Sequence, residues 1–317
     1  MQNFLSVNDV QDVEQLAKDA ITLKSNPYAH KYLGENKTLV LLFMNASMRT
    51  RISTQKAAQN LGMNVIVLNV GQDSWNMEFE DGAIMNGNSV EHIKEGAAVI
   101  SKYADIIGLR SFPTLTDKAK DYSEFVLHKF LENIDVPLLN MESATVHPLQ
   151  SLADLITIRE NTTKPKPKIV LSWAPHIKPL PQCVSNSFAE WMNQADVELI
   201  ITHPKGYELN EKFTQNAVIE YNQVRAFENA DFIYAKNWSS YSDYGKILDN
   251  HNDWIIDAKK MQLTNDARFM HCLPTRRNVE VADAVLDSPN SLVVQQASNR
   301  VWSAQIVLKK MLESVSI

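Results

Sequence analysis

Short apolar runs alternate with helical patterns along almost the whole of this 317-residue chain, and that alternation restricts its fold more than any other feature. The strand candidates are Leu39–Met44, Val65–Asn69, Asp105–Leu109, Val136–Leu139, Ile169–Trp173, Val197–Thr202, Phe232–Tyr234, Trp254–Ile256 and Arg268–His271. The helix candidates are Asn8–Leu23, Ile52–Leu61, Ser89–Lys102, Ser123–Glu132, Leu149–Arg159, Val184–Gln194, Val224–Glu228 and Ala297–Glu313. Strands that alternate with helices call for parallel sheets with helices on both faces. Nearly continuous apolar runs such as Thr38–Met44 suit strands buried on both sides. The length suits about two such domains. We therefore expect an α/β chain of two doubly wound parallel-sheet domains, joined near residues 142–160. The expected extents are residues 1–145 together with a C-terminal helix at 297–317, and residues 146–296. Leu149–Arg159 is the expected bridging helix, and Asn161–Lys168, polar and proline-containing, reads as a loop or linker.

A net charge of −6 gives no general attraction to nucleic acid or to a membrane surface, so an anionic ligand must be held by local cations. The two cysteines, Cys183 and Cys272, lie far apart. They fit neither a disulfide framework nor a CxxC metal site, and they suit a reducing cytoplasm. The first residues lack a basic stretch followed by an apolar run, and no apolar segment approaches membrane-spanning length. Neither G-x-x-x-x-G-K-[ST] nor G-x-G-x-x-G occurs, so nothing supports a P-loop or a dinucleotide fingerprint.

The candidate chemistry falls at the carboxyl ends of strands, where open α/β sheets bind ligands. Ser47-Met48-Arg49-Thr50-Arg51 lies between a strand and a helix. Free N–H groups at a helix start, two hydroxyls and two guanidinium forks make a phosphate site without glycines. A capped helix with two solvated arginines is the plainer reading of the same five residues. Arg110 follows the run Ile106-Ile107-Gly108-Leu109 and can reach a cleft or lie on the surface. In His147-Pro148-Leu149-Gln150, proline suits the first helical position, so His147 stands at the helix mouth and Gln150 one turn in. Either can donate to a carbonyl or oxyanion, or His147 can serve as a cap alone. His271-Cys272-Leu273-Pro274 ends another strand, with Arg276 and Arg277 close behind. Neighbouring strand residues point to opposite faces, so His271 and Cys272 do not form a thiol–imidazole pair.

These four ordered motifs, completed by Asn299-Arg300, span almost the whole chain and resemble the carbamoyltransferases, the family of the aspartate and ornithine enzymes. That family usually has Thr where this chain has Met48. The Ser-Met-Gly loop of the ornithine enzyme, which holds the free α-amino acid end, is missing. In its place stand Trp173-Ala174-Pro175-His176-Ile177-Lys178-Pro179-Leu180-Pro181 and Lys236-Asn237-Trp238, with Trp75 and Glu142-Ser143-Ala144-Thr145. This set resembles the N-acylornithine branch of the family. The resemblance implies a knotted second domain threaded through a proline-rich loop like Ile177–Gln182, a homotrimer in the cytoplasm, and no cofactor and no metal.

The resemblance also implies roles. Ser47, Met48, Arg49 and Thr50 would hold the phosphate of carbamoyl phosphate, with Trp75 from a neighbouring subunit closing over it. Thr50, Arg110 and His147 would polarise the carbamoyl oxygen; Gln150 and the Leu273 carbonyl would fix the carbamoyl NH₂; Arg300 would add positive charge. Cys272 would lie near the attacking amine, and Glu142, His176, Lys236, Leu273 and Arg276 would hold the acylornithine. Acetyl-type enzymes usually carry glutamate at the position of Val90 and a carboxylatable lysine at that of Glu280. Losing that glutamate removes a charge that would repel a second carboxylate, so we expect succinylornithine rather than acetylornithine as substrate, in arginine biosynthesis. Succinyl-type enzymes often have proline at the Val90 position, so the match is incomplete. From a different class, the chain would be a catalytically silent anion-binding regulator; plain ornithine carbamoylation is the third expectation.

Overall fold

The computed structural model of the chain describes residues 1–249 and 251–315. Eleven strands occur among these residues: β1 (Thr38–Phe43), β2 (Asn64–Asn69), β3 (Met77–Glu78), β4 (Glu91–His92), β5 (Ile106–Arg110), β6 (Leu138–Glu142), β7 (Lys168–Trp173), β8 (Glu198–Thr202), β9 (Val218–Glu220), β10 (Phe232–Lys236) and β11 (Arg268–Met270). They form a four-stranded sheet in the order β2-β1-β5-β6, a five-stranded sheet in the order β11-β10-β7-β8-β9, and the small pair β3-β4. Every pairing is parallel. Each large sheet reverses its strand order once, between β1 and β5 in the first and between β7 and β10 in the second. Crevices at such switch points, at the carboxyl ends of the strands, are where α/β sheets bind ligands.

The strands are central because their residues are apolar throughout. Leu39, Leu41 and Leu42 of β1 and Ile169, Val170 and Leu171 of β7 are fully buried. Three apolar clusters result: one on the outer face of each sheet, and a large one that runs from the first sheet through the helix Pro148–Glu160 into the second. Pro148–Glu160 is buried over nearly its whole length, which accounts for its weak amphipathic pattern in the sequence. The last helix, Val293–Val315, packs across Met48–Asn60, Pro148–Glu160 and Val13–Ser25. Asn60 Nδ2 donates to Gln305 Oε1 at 2.8 Å, and Ser303 Oγ donates to the Leu149 carbonyl at 2.6 Å.

Most of the expected elements are present, and the differences have local causes. The expected helix Asn8–Leu23 is broken: Asp12 is extended and caps Val13–Ser25 by accepting from the Gln15 N–H. Ser89–Lys102 is helical only from Ile93, because Glu91–His92 pairs as β4 with β3 and the His92 side chain caps the helix. Trp254–Ile256 is not a strand. Trp254 closes a 3₁₀ turn, its carbonyl accepts from Gln223 Nε2, and Ile256 makes one isolated bridge to Val281. The edge strand β9 and the short β3 and β4 escape sequence reading because they carry too few apolar residues to show a period.

The two halves also touch across the mouth of the cleft. Tyr244 donates to Asp121 at 2.8 Å, and Tyr122 donates to Gln182. At Gly245, where φ is +73°, an added Cβ would stand 2.0 Å from the Leu115 carbonyl oxygen. Gly82 also has φ of +73° but has nothing within 4 Å of that point. Gly82→Ala should therefore cost only the left-handed strain of about 1–2 kcal/mol. Gly245→Ala should cost a further ~1–3 kcal/mol, because the backbone of residue 115 must move as well. Urea denaturation of both variants checks this, and equal midpoints would contradict the close packing.

Candidate active site

A cavity of about 420 Å³ lies between the two sheets, at the carboxyl ends of their strands. The sequence places its chemistry there one strand at a time. Where β1 ends, Ser47 caps the helix Met48–Asn60, its hydroxyl accepting from the Thr50 N–H at 3.3 Å. The Ser-Met-Arg-Thr-Arg segment thus forms the first helical turn itself, rather than preceding a helix at Ile52. Arg49 and Thr50 line the cavity, and Arg49 Nε is buried without a partner. Arg51 does not line it, because residues two apart on a helix point away from each other; its charge acts on Asp73 instead. The phosphate-site expectation is corrected to one arginine from this turn.

Arg110, at the end of β5, is held on every side. Its Nε and Nη2 both donate to Glu142 Oε2 at 3.0 Å, and Nη1 donates to the carbonyls of Asn45 and Ala46 at 2.8 and 3.0 Å. Phe112 stacks on the guanidinium, 4.1 Å from its ring centre. Glu142, at the end of β6, also accepts from the Cys183 thiol at 3.3 Å. Phe112 and Cys183 were not expected in the site. The only sequence signals were position: Phe112 two residues after Arg110, and Cys183 directly after the proline-rich loop.

His147 stands at the mouth of Pro148–Glu160 and is buried. Arg300 Nη2 lies 3.3 Å from its Nε2 and 2.7 Å from Thr50 Oγ1. Arginine only donates, so Nε2 accepts and Nδ1 carries the proton. That Nδ1 is buried without a partner among the described residues. Burial, together with the charges of Arg300 and Arg110, holds the His147 imidazole well below its usual range, so it is neutral. Burial also lowers Arg300 to about 10, yet three pH units still leave it charged at neutral pH. Gln150 lines the cavity; its Oε1 is buried without a partner, and its Nε2 donates to Asp154 Oδ1 at 2.7 Å.

The second half contributes Lys236 at the end of β10, His176 beyond β7, and Cys272, Leu273 and Pro274 beyond β11. Leu273 adopts φ of +57° ahead of a cis proline. Burial raises the Cys272 thiol above its usual range, so it is protonated. His176 Nε2 accepts from Arg276 Nε at 3.1 Å, which ties Arg276 to the rim, although Arg276 is not part of the wall.

Four expected residues lie elsewhere. Arg276 is at the rim, as described. Glu280 is 1% exposed and faces away: it accepts from the Arg276 N–H at 2.6 Å and stands 3.7 Å from His271. Trp75 and Val90 are 52% and 68% exposed on the chain's surface, and neither lines the cavity of its own chain. Trp75 donates to Glu91 at 2.7 Å. No group of acidic, histidine or cysteine side chains suited to a metal ion occurs among the described residues, and no described helix is long and apolar enough to cross a membrane.

Two family models match the chain. "Aspartate/ornithine carbamoyltransferase, carbamoyl-P binding domain" covers residues 2–160, and "Aspartate/ornithine carbamoyltransferase, Asp/Orn binding domain" covers residues 182–311. The chain is 50% identical to the N-succinylornithine carbamoyltransferase of Bacteroides fragilis (strain 638R), over 99% of this chain and 100% of that one. It is 35% identical to the N-acetylornithine carbamoyltransferase of Xanthomonas campestris pv. campestris, over 97% of each. Among solved structures, acetylornithine transcarbamylase complexed with acetylcitrulline superposes with a TM-score of 0.93 at 34% identity, covering 98% of this chain and 99% of that one. A glutamate-to-valine mutant of N-acetyl-L-ornithine transcarbamylase, complexed with carbamyl phosphate and N-succinyl-L-norvaline, superposes with a TM-score of 0.92 at 34% identity, covering 98% and 100%.

The depressed imidazole makes one expectation testable. The unfolded chain takes up a proton on His147 near the ordinary value of 6.5, whereas the folded chain does not. Stability through this group is therefore complete above about pH 6.5 and drains away as pH falls below it. Nitrogen-15 NMR of the imidazoles should show His147 neutral from about pH 8 to about pH 6. A titration centred near 6.5 would contradict the buried, cation-flanked geometry.

Proposed function

From the premise that the chain belongs to the aspartate/ornithine carbamoyltransferase family, and is a carbamoyltransferase, we propose that it carbamoylates the δ-amine of N-succinyl-L-ornithine. Carbamoyl phosphate is the donor; N-succinyl-L-citrulline and phosphate are the products, in arginine biosynthesis. The observation that carries this reading is the cationic cleft, in which Arg49, Arg110, Lys236 and Arg300 face a cavity of about 420 Å³. Arg49 and the N–H groups of the first helical turn suit the phosphate. The Thr50 hydroxyl, Arg110 and the free Nδ1–H of His147 suit the carbamoyl oxygen as it becomes an oxyanion. Gln150 Oε1 and the Leu273 carbonyl suit the carbamoyl NH₂. The amine nitrogen bonds to the carbamoyl carbon, and the carbon–oxygen bond to phosphate breaks with its electron pair. The proton goes to the departing phosphate, since Cys272 is a neutral, buried thiol rather than a thiolate base.

Residues 1–145 with the C-terminal helix form the carbamoyl phosphate half in this reading, and residues 146–296 form the acylornithine half, where His176, Lys236, Leu273 and Arg276 gather opposite Glu142 of the first half. The second half is knotted in this reading; the support is that Asn237–Ser240 runs against the proline-rich loop, with Ser239 N–H donating to the Leu180 carbonyl and Gln182 Nε2 to the Ser239 carbonyl. Trp75, Ile84, Met85 and Val90 expose a run of large apolar side chains. Such a run suits an interface. We assign it to a homotrimer in which Trp75 and Val90 close the site of the neighbouring subunit. Preference for succinyl over acetyl then rests on Val90, which adds no negative charge where the second carboxylate of succinyl must lie. Glu280, turned away behind Arg276, acts only by holding that turn.

Arg49→Ala should lower kcat/KM by about 10²–10³ and weaken carbamoyl phosphate binding while leaving the melting temperature close to wild type, as steady-state kinetics and calorimetry would show. Val90→Glu should move the ratio of succinylornithine to acetylornithine turnover toward acetyl by about tenfold or more. An unchanged ratio would remove Val90 from the acyl pocket.

A further inference from the structure

We propose that Asp154 is a positioning residue that locks the Gln150 amide and the His271–Pro274 loop together around the carbamoyl group, an inference that rests on the carbamoyl phosphate reading of the cleft. Asp154 lies outside the cavity, one helical turn beyond Gln150. Its Oδ1 accepts from two amides, Gln150 Nε2 and Gln296 Nε2, each at 2.7 Å. Gln296 Oε1 in turn accepts from the His271 N–H at 2.8 Å, and His271 Nδ1 accepts from the Leu273 N–H at 2.9 Å. A single line of hydrogen bonds therefore joins Gln150 on one helix, Gln296 on the last helix, and the loop that presents the Leu273 carbonyl. Gln150, Asp154, Gln296 and His271 are all buried, so bulk water does not compete for these bonds.

The direction of each bond gives the line its function. Gln296 cannot flip, because its oxygen is needed by the His271 N–H. Its NH₂ then requires an acceptor, and Asp154 supplies it. Gln150 faces the same constraint: Asp154 Oδ1 can only accept, so the Gln150 NH₂ turns to it, and the Oε1 of this cavity-lining residue is left as the end without a protein partner. A flipped Gln150 would point its NH₂ at the carbamoyl NH₂ and lose that contact. Burial raises the Asp154 carboxyl to about 7 against the pull of Gln296 and Gln150, but both of its protonation states keep Oδ1 as an acceptor. An asparagine keeps that oxygen too, and its NH₂ can face the buried Tyr234 hydroxyl, which interacts with the Asp154 carboxyl. An alanine cannot hold either amide.

The test is a double-mutant cycle in the full chain: wild type, Asp154→Ala, Gln150→Ala and the double variant, with Asp154→Asn alongside. Turnover with carbamoyl phosphate and N-succinylornithine is measured together with carbamoyl phosphate affinity by calorimetry. Asp154→Ala should lower kcat/KM for carbamoyl phosphate by about tenfold or more, but by less than about twofold when Gln150 is already alanine. Asp154→Asn should recover activity to within about threefold of wild type. Losses that multiply in the double variant, or an Asp154→Ala enzyme equal to wild type, would overturn the proposal. Should Asp154→Ala not fold, Asp154→Ser takes its place in the same cycle. A wild type that binds carbamoyl phosphate but carbamoylates no acylornithine would sink the substrate assignment while the affinity cycle still decides Asp154. A wild type that binds no carbamoyl phosphate overturns both.

Discussion

The site depends on an excess of buried positive charge that the protein only partly neutralises. Arg49, Arg110 and Arg300 converge at the strand ends of the first sheet, and each lowers or opposes the charge of its neighbours. Glu142 engages Arg110 through a forked contact at 3.0 Å, and the carbonyls of Asn45 and Ala46 take the remaining donors. Arg49 and Arg300 have no such carboxylate partner, and their Nε groups stay buried and unpartnered. Buried, unpaired donors of this kind are costly in an empty cavity and become favourable when an anion enters.

The same excess of cations explains why the ionisable groups at the centre divide into neutral and charged sets. His147 is flanked by two guanidinium groups, so it stays neutral and offers one defined N–H. Cys272 is buried and stays a thiol, which leaves the leaving phosphate to take the proton in the proposed reaction. Asp154, further back, orients two amides: that of Gln150, which lines the cavity, and that of Gln296, which holds the His271 N–H.

Much of this was legible in the sequence, because the chemistry sits in short motifs at strand ends and the central strands are mostly apolar. Arg49, Thr50, Arg110, His147, Gln150, Cys272 and Arg300 line the cavity where the motifs suggested. Arg51 misled because adjacency in sequence is not adjacency on a helix; a two-residue step turns a side chain to the opposite face. Cys183 was missed because its contact with Glu142 joins positions far apart in sequence, and Phe112 because a ring two residues after Arg110 carries no pattern of its own. Trp254–Ile256 resembles a strand in composition alone, whereas its partners are Gln223 at a helix start and Val281 in a loop rather than strands of the sheet. Val90 and Trp75 carried their assignments by resemblance only, and their surface position on their own chain shows why no local pattern could have placed them.

The most direct test of the account compares turnover of N-succinylornithine, N-acetylornithine and ornithine by the wild-type chain with saturating carbamoyl phosphate. The expected result is a citrulline-type product with a strong preference for the succinyl substrate. A preference for acetylornithine would contradict the acyl assignment, and no product from any of the three would contradict the reading of the cationic cleft as a carbamoyl-transfer site.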